Sequence, residues 1–177
     1  TVDVRDPRGY ATRYTHGNRW NVNEGQLLRV DDGWTGTAAE RTTTYRYRAP
    51  EAGPYPDRAG AIITGRGDSW VASRHAPMDR KAITQQGVNF NWEATAFTIW
   101  ARPSVVTQAS TLGYTRTRTT SYHENLAKWV LGQIESVTDA SMASTPIERN
   151  DYDAGTALRI ARHEHGLRKE RFAYHPD

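Results

Sequence analysis

The sequence predicts an all-β protein, with consecutive antiparallel hairpins in one curved sheet, and three observations support this fold class. Short segments alternate apolar and polar residues with a period of two. Glycine and proline separate these segments at short intervals. One phrase of the sequence occurs twice, as is typical of repeat proteins.

The repeated phrase is GQLLRVDD at 25–32 and GQIESVTD at 132–139. Each copy follows a polar strand pattern that begins with Gly-Tyr, at 9–10 and at 113–114. A recurring unit predicts an array in which each unit completes its core by stacking on its neighbours. Gln26 and Gln133, the second residues of the two copies, are therefore expected to have similar surroundings. Two ordinary hairpins with similar turn chemistry are the alternative.

Taken in chain order, the alternation predicts strands at 42–48, 88–92, 96–100 and 114–122. Turns or strand ends are expected at 31–33, 53–56, 65–68 and 102–103. The best helical pattern places Leu126, Trp129 and Val130 at helical spacing after Asn125, a candidate cap. Because strand chemistry resumes at Gly132, we expect only a loop or a single turn there.

The 177 residues are predicted to form one β-repeat region, 1–177. The repeat pattern is hard to see between residues 48 and 102, so 49–102 is interpreted as either a degenerate repeat or an insertion. The segment 50–57 is rich in Pro and Gly, and both a loop between hairpins and a domain boundary explain it.

The composition argues against several classes of protein. Lys and Arg number 23 against 20 Asp and Glu, and the charges are interspersed, which disfavours a nucleic-acid-binding surface. The chain has no cysteine for disulfides or zinc thiolate sites. No apolar run approaches the roughly 20 residues of a membrane span, and the first residues lack a signal-peptide pattern. Six Trp and nine Tyr favour half-buried surfaces.

The segment DPRGYATRYT at 6–15, followed by 25–31, resembles the YD repeat of the Rhs family. The consensus of that repeat runs Asp-Pro-x-Gly, Thr, Tyr, x, Tyr-Asp, then Gly-x-Leu and Val-x-Asp. The likeness continues at 122–123 and 132–139, Tyr152 and Asp153 form the literal Tyr-Asp pair, and 172–177 resembles the opening of a further unit. The sequence departs from the repeat at 14–16, where Tyr-Thr-His replaces Tyr-Asp, and at 17–24, where a tight turn is expected.

The resemblance implies a structural scaffold, one part of a hollow β-shell that encloses or presents a C-terminal toxin, as in polymorphic toxins, insecticidal toxin complexes and the related teneurins. The implied partners are the remainder of the shell and the enclosed toxin domain, and the implied location is secreted or cell-surface. Glycine permits positive φ at turns, and Asp accepts hydrogen bonds from turn amides. The predicted turn and strand-start residues are Gly9, Gly25, Asp32, Gly132, Asp139, Tyr114, Tyr152 and Asp153.

No constellation of residues predicts catalysis, a metal site or a cofactor. The weak candidates are His163 with His165, Ser69 or Ser73 with His75, and Asp151 with Asp153. The two histidines of the first pair share a strand face but lack a third ligand, the serines lack a nucleophile elbow, and the second aspartate has a turn role in the repeat. The segment 6–9 also lacks the second glycine cluster of the self-cleaving aspartyl site found in Rhs proteins. The chain is therefore predicted not to be an enzyme.

A recognition module is the alternative function. Trp70, Trp92, Trp100 and Trp129, together with tyrosines, could form a platform that binds sugar rings or a cell-surface receptor. Aromatic residues in YD repeats mostly fill the interface between neighbouring units, which favours the scaffold.

Overall fold

The computed structural model describes residues 1–20, 22–57, 74–142 and 145–175. These residues form an open antiparallel sheet of twelve strands, each paired with its neighbours in sequence, which confirms the all-β prediction. Single 3₁₀ turns lie at Pro50–Ala52, Leu126–Lys128 and Ala140–Met142, and no helix of the described chain could cross a membrane. The strands are β1 (Val2–Arg5), β2 (Ala11–His16), β3 (Leu27–Asp32), β4 (Arg41–Tyr47), β5 (Met78–Gln85), β6 (Val88–Phe97), β7 (Pro103–Ser110), β8 (Thr115–Asn125), β9 (Val130–Asp139), β10 (Glu148–Tyr152), β11 (Arg159–Glu164) and β12 (Leu167–Arg171).

Hairpins at 6–10, 98–102 and 110–114 share one turn geometry. In each, the first amide donates to the fifth carbonyl oxygen at 2.8–2.9 Å, and the fourth amide donates to the first carbonyl oxygen at 2.9–3.1 Å. The fourth residue has positive φ, 89° at Gly9, 58° at Ala101 and 88° at Gly113, as a type I turn closed by a left-handed residue requires. Because the turn at 98–102 ends β6 at Phe97, the predicted strand at 96–100 is wrong beyond that residue.

Two other hairpins turn through a pair of residues with positive φ, Gln86-Gly87 between β5 and β6 and His165-Gly166 between β11 and β12. This type I′ geometry matches the right-handed twist of the flanking strands. His165 therefore lies in a turn, and the expectation that it shares a strand face with His163 is wrong.

The best helical pattern of the sequence forms a single turn, as expected. The Asn125 side chain accepts a hydrogen bond from the Lys128 amide at 3.0 Å and caps this turn. Trp129 then adopts a φ of 54°, and β9 begins at the next residue, which leaves no room for a longer helix.

The segment 49–102 continues the meander, because β5 and β6 pair in order with their neighbours. Its extra length lies in the connection between Tyr47 and Met78, which the Arg48 amide closes by donating to the Pro77 carbonyl oxygen at 2.9 Å. The segment therefore contains sheet strands as well as a long connection.

The strand register sorts side chains onto two unlike faces, because residues opposite each other share a face and successive residues alternate. A cluster of Tyr55, Ala94 and Phe97 covers part of the more apolar face. No described side chain is less than 2 % exposed, so the strands depend on pairing more than on a thick core. The apolar face includes Val2, Val30, Ile83, Phe90, Trp92, Val106 and Val137, and the polar face includes Arg13, Asp31, Thr42, Asn91, Thr107, Ser136 and His163.

Candidate functional site

One irregularity recurs on the second strand of five hairpins, which are formed by β2–β3, β4–β5, β6–β7, β8–β9 and β10–β11. On β2 and β3, His16 pairs with Leu27 and Thr15 pairs with Arg29, so Leu28 is skipped. A skipped residue of this kind is a β-bulge, which bends the strand and increases its twist. The corresponding skipped residues are Asp79 on β5, Ser104 on β7, Glu135 on β9 and Ile160 on β11.

The bulge gives the repeated phrase a structural meaning. Leu28 and Glu135 occupy the same place in the two copies, and the residues that follow keep the same register. The Gln26 carbonyl oxygen accepts the Gly17 amide at 2.8 Å, while Gln133 pairs with His123 at the corresponding point. The two copies therefore have similar backbone surroundings. Their glutamine side chains differ, because Gln133 Nε2 donates to the Ala157 carbonyl oxygen at 2.8 Å, while the Gln26 side chain makes no hydrogen bond among the described residues. The expectation of similar surroundings is thus confirmed for the backbone and wrong for the side chains.

A tyrosine hydroxyl joins successive hairpins at these bulges. The acceptor is in each case the carbonyl oxygen of the residue just before the skipped one. We term these hydrogen bonds the tyrosine clasps. Tyr47, Tyr122, Tyr152 and Tyr174 donate to Leu27, Pro103, Ile134 and Arg159 at 3.0, 2.8, 2.7 and 2.8 Å respectively.

Phe97 stands at the corresponding place on β6 and has no hydroxyl to donate. Its ring instead meets the Tyr55 ring edge-on, with centroids 6.1 Å apart, inside the buried cluster. Tyr55 comes from the long connection after β4. Apolar packing thus replaces the clasp at this hairpin.

The clasps of Tyr47 and Tyr122 are partly buried, whereas those of Tyr152 and Tyr174 are exposed. Burial raises the pKa of Tyr47, Tyr122 and Tyr152, so these hydroxyls remain protonated donors at neutral pH. The His123 ring stacks on Tyr152 with centroids 5.0 Å apart, which adds a contact between hairpins beside the clasp. Each clasp joins a tyrosine side chain to a backbone carbonyl group of the preceding hairpin, and it presents no reactive group.

Most of the predicted turn and strand-start residues lie at turns. Asp153 accepts hydrogen bonds from the amides of Gly155 and Thr156 at 3.1 and 2.8 Å, and the Thr156 hydroxyl is the main cause of a lowered pKa at Asp153. Tyr152, just before it, forms a clasp. Gly9, Gly25 and Tyr114 also lie in or beside turns.

The prediction that Gly132 lies in a turn is wrong, because this residue lies inside β9. Its φ is 74°, and its amide donates to Glu124 Oε2 at 2.8 Å. The Arg102 guanidinium fills the space where a side chain would stand, and it donates to the Leu131 carbonyl oxygen at 3.2 Å. Glycine at this position therefore permits the positive φ of the bulge and the close approach of the Arg102 guanidinium.

The aspartates that end the two copies differ in their bonding. Asp139 accepts the Ser141 hydroxyl at 2.6 Å and is also paired with Arg116, and these contacts hold its pKa well below the usual range. Within the described chain, the Asp32 side chain has only a 3.4 Å contact with the Thr12 hydroxyl. The buried carboxylate of the first copy is instead Asp31, which was not among the predicted turn residues.

Asp31 is 2 % exposed and accepts hydrogen bonds from the Arg29 guanidinium at 2.7 and 2.8 Å. The Thr42 hydroxyl donates to the same carboxylate at 2.7 Å. The Arg29 hydrogen bonds are the main cause of a lowered pKa at Asp31. An Arg-x-Asp spacing places both side chains on one strand face, so the spacing of Arg29 and Asp31 in the sequence could have predicted this ion pair.

The four tryptophans of the recognition hypothesis do not form one platform in the described chain. The rings of Trp100 and Trp129 meet edge-on with centroids 6.2 Å apart, and Trp129 is 71 % exposed. Trp92 instead lies on the apolar face against the buried cluster. Trp70 lies outside the described residues.

The weak catalytic and metal candidates are held in structural contacts. His163 Nε2 lies 2.9 Å from Asp151 Oδ2, beside Arg149. The described part of the chain contains no group of three His, Cys, Asp or Glu side chains that could hold a metal ion. His75 Nδ1 lies 2.9 Å from the Pro56 carbonyl oxygen, and Ser69 and Ser73 lie outside the described residues.

Comparisons of this chain with protein-family models, curated proteins and solved structures found no match. The described residues define a class by their geometry: a single-layer antiparallel β meander whose hairpins are joined by tyrosine clasps.

Proposed function

We propose that the chain is a structural scaffold, a segment of the wall of a larger β assembly of the YD-repeat type, with no chemistry of its own. The observation that supports this proposal is the tyrosine clasp, which repeats one contact between hairpins at corresponding bulges. A contact repeated in this way fixes the stagger of each hairpin on the one before it. Further hairpins can then be added in the same geometry, as in other repeat proteins.

The two edges of the sheet also support the proposal. β1 and β12 each pair with a single neighbour in the described sheet, and every residue of both strands is exposed. An unpaired edge presents amides and carbonyl groups that can bind another strand. In the proposed wall, further strands pair with both edges.

The proposed partners are the remainder of the wall and a toxin domain that it encloses or presents. The proposed location is secreted or cell-surface, as for the assemblies that the sequence resembles. In this arrangement the chain supplies stiffness and closure, while any toxic activity belongs to the enclosed domain.

Electron cryo-microscopy of the complete native polypeptide that carries this chain tests the proposal. We expect strands of the same polypeptide hydrogen-bonded to β1 and β12, and a wall that surrounds a separate domain. Hydrogen exchange supplies a second readout: the β1 and β12 amides are expected to exchange fast in the 177-residue chain and slowly in the native polypeptide. A sheet that ends at β1 and β12 in the native polypeptide would overturn the proposal.

The recognition alternative depends on the Trp100–Trp129 pair, of which Trp129 is exposed. Retention of the chain on immobilised sugars or receptor ectodomains, lost on Trp129→Ala, would favour it over the scaffold. Because Trp129 makes no clasp, this substitution leaves the scaffold contacts in place.

A further inference from the structure

A groove of about 780 Å³ crosses β5–β8 on the apolar face, a size typical of small-molecule sites. Its floor includes a row of register partners that runs straight across the strands. The row reads Lys81, Trp92, Gln108 and Arg116. Since neighbouring strands lie about 4.8 Å apart, the backbone positions of the two cationic residues at its ends are separated by about 14 Å.

A second row beside the first supplies apolar surface. Ile83, Phe90 and Ser110 are register partners on the same face, and Tyr114 stands at the end of this row after the hairpin turn. Phe90 is 44 % exposed and Tyr114 is 74 % exposed, so the groove offers rings to a ligand without rearrangement. The Ser110 hydroxyl is buried and has no hydrogen-bond partner in the described chain.

The charges of the groove have one sign. Among the residues that the structure describes, no Asp or Glu lines it, while Lys81 and Arg116 do. Arg116 is paired with Asp139, which compensates its charge. Lys81 has no acidic partner among the described residues, and its ammonium lies 5.9 Å from the centre of the Tyr45 ring. The groove therefore joins an apolar floor to one uncompensated cation.

We infer that this groove binds a small amphiphile with an apolar acyl body and one anionic head group, such as a medium-chain fatty acid. The acyl chain lies over Ile83, Phe90 and Trp92, where it removes apolar surface from water. The carboxylate pairs with Lys81 and so compensates the free charge. A neutral sugar would leave Lys81 unpaired and the aliphatic part of the floor poorly covered. This inference concerns the apolar face and does not depend on the sheet edges that carry the proposed scaffold function.

Isothermal titration calorimetry of the 177-residue chain with sodium dodecanoate below its micelle concentration tests the inference. Dodecyltrimethylammonium, with the same tail and the opposite charge, is the comparison ligand. We expect saturable dodecanoate binding at one site. The cationic ligand cannot pair with Lys81, so its binding is expected to be weaker by about fivefold, the upper range for a partly exposed ion pair.

Two variants with matched controls locate the site. Lys81→Gln is expected to weaken dodecanoate binding about fivefold, while Lys128→Gln, on an exposed turn outside the groove, leaves it unchanged. Tyr114→Ser is expected to weaken binding of both ligands, while Tyr10→Ser, at the same place in an equivalent hairpin turn, does not. Circular dichroism confirms that each variant is folded.

Three results would overturn the inference: no saturable binding of dodecanoate, equal affinity for the two ligands, or Lys81→Gln and Tyr114→Ser variants that bind like their controls. The edge strands are untouched by these measurements, so their outcome is separate from that of the scaffold proposal.

Discussion

Removing one clasp hydroxyl, by Tyr122→Phe, is expected to lower the free energy of unfolding by about 1 kcal/mol. The hydroxyl donates to the Pro103 carbonyl oxygen at 2.8 Å in a half-buried position, where burial also raises the pKa of Tyr122. The substitution removes a single oxygen and leaves the ring in place, so the loss is that of one hydrogen bond. For a chain of 177 residues, this corresponds to a fall in Tm of roughly 2–4 °C.

The clasps are expected to differ in strength according to what else their acceptors bind. The Ile134 carbonyl oxygen accepts both the Tyr152 hydroxyl at 2.7 Å and the Asn150 side-chain amide at 2.9 Å. Tyr152→Phe therefore leaves this carbonyl oxygen with a partner, and a smaller loss of about 0.5 kcal/mol is expected.

Urea unfolding followed by circular dichroism measures both losses. Tyr114→Phe is the matched control, because the Tyr114 side chain is 74 % exposed and its change is expected to stay within about 0.5 kcal/mol. The reasoning is refuted if Tyr122→Phe is no more destabilising than Tyr114→Phe. A loss at Tyr152 larger than that at Tyr122 would refute the account of the acceptors.

Three further substitutions test the backbone and the buried carboxylate. Gly132→Val is expected to lower the free energy of unfolding by about 2–4 kcal/mol. The reason is that a β-branched residue is strained at φ of 74° and that its Cβ would overlap the Arg102 guanidinium. A urea titration that shows a loss below about 1 kcal/mol would contradict this expectation. Ala101→Gly is expected to raise stability in the same assay by about 0.5–1 kcal/mol, since Ala101 has a φ of 58°, and a loss of stability would disprove the strain. Asp31→Asn is expected to destabilise the chain at pH 7. Because the folded pKa of Asp31 lies below its unfolded value of about 3.9, its stabilising effect is complete above that pH and is lost as pH falls through the folded pKa. The difference between wild type and variant in urea titrations should therefore shrink below about pH 4, and an equal difference at pH 7 and pH 2 would contradict the assignment.

The sequence was sufficient for the features that depend on neighbouring residues. Period-two alternation predicted the strand pattern around Phe90 and Trp92, because each residue there faces opposite to the next. Asn125 was predicted as a cap and Asp153 as a turn residue, since both bond to amides two or three positions away. These contacts are local, so composition and spacing specify them.

The bulges and clasps were not predicted, for a physical reason. The skipped residues are chemically unlike, with aliphatic Leu28 in one copy of the phrase and acidic Glu135 in the other, so no side-chain pattern marks them. A clasp acceptor is a backbone carbonyl group on another hairpin, and every residue has one. The turn at 98–102 was expected only at 102–103, because Ala101, not glycine, takes the left-handed position.

The hairpin without a clasp shows what the clasps contribute. A single-layer sheet lacks a second layer that would hold its strands at a fixed twist, and each bulge adds local twist to its strand. Where a tyrosine is present, its hydroxyl fixes that point against the preceding hairpin. Where Phe97 replaces it, Tyr55 from the long connection packs over the same point and forms the buried cluster with Ala94. Both solutions restrain the bulge, one by a hydrogen bond and one by apolar burial, and a wall built from such hairpins would need one of them at every unit.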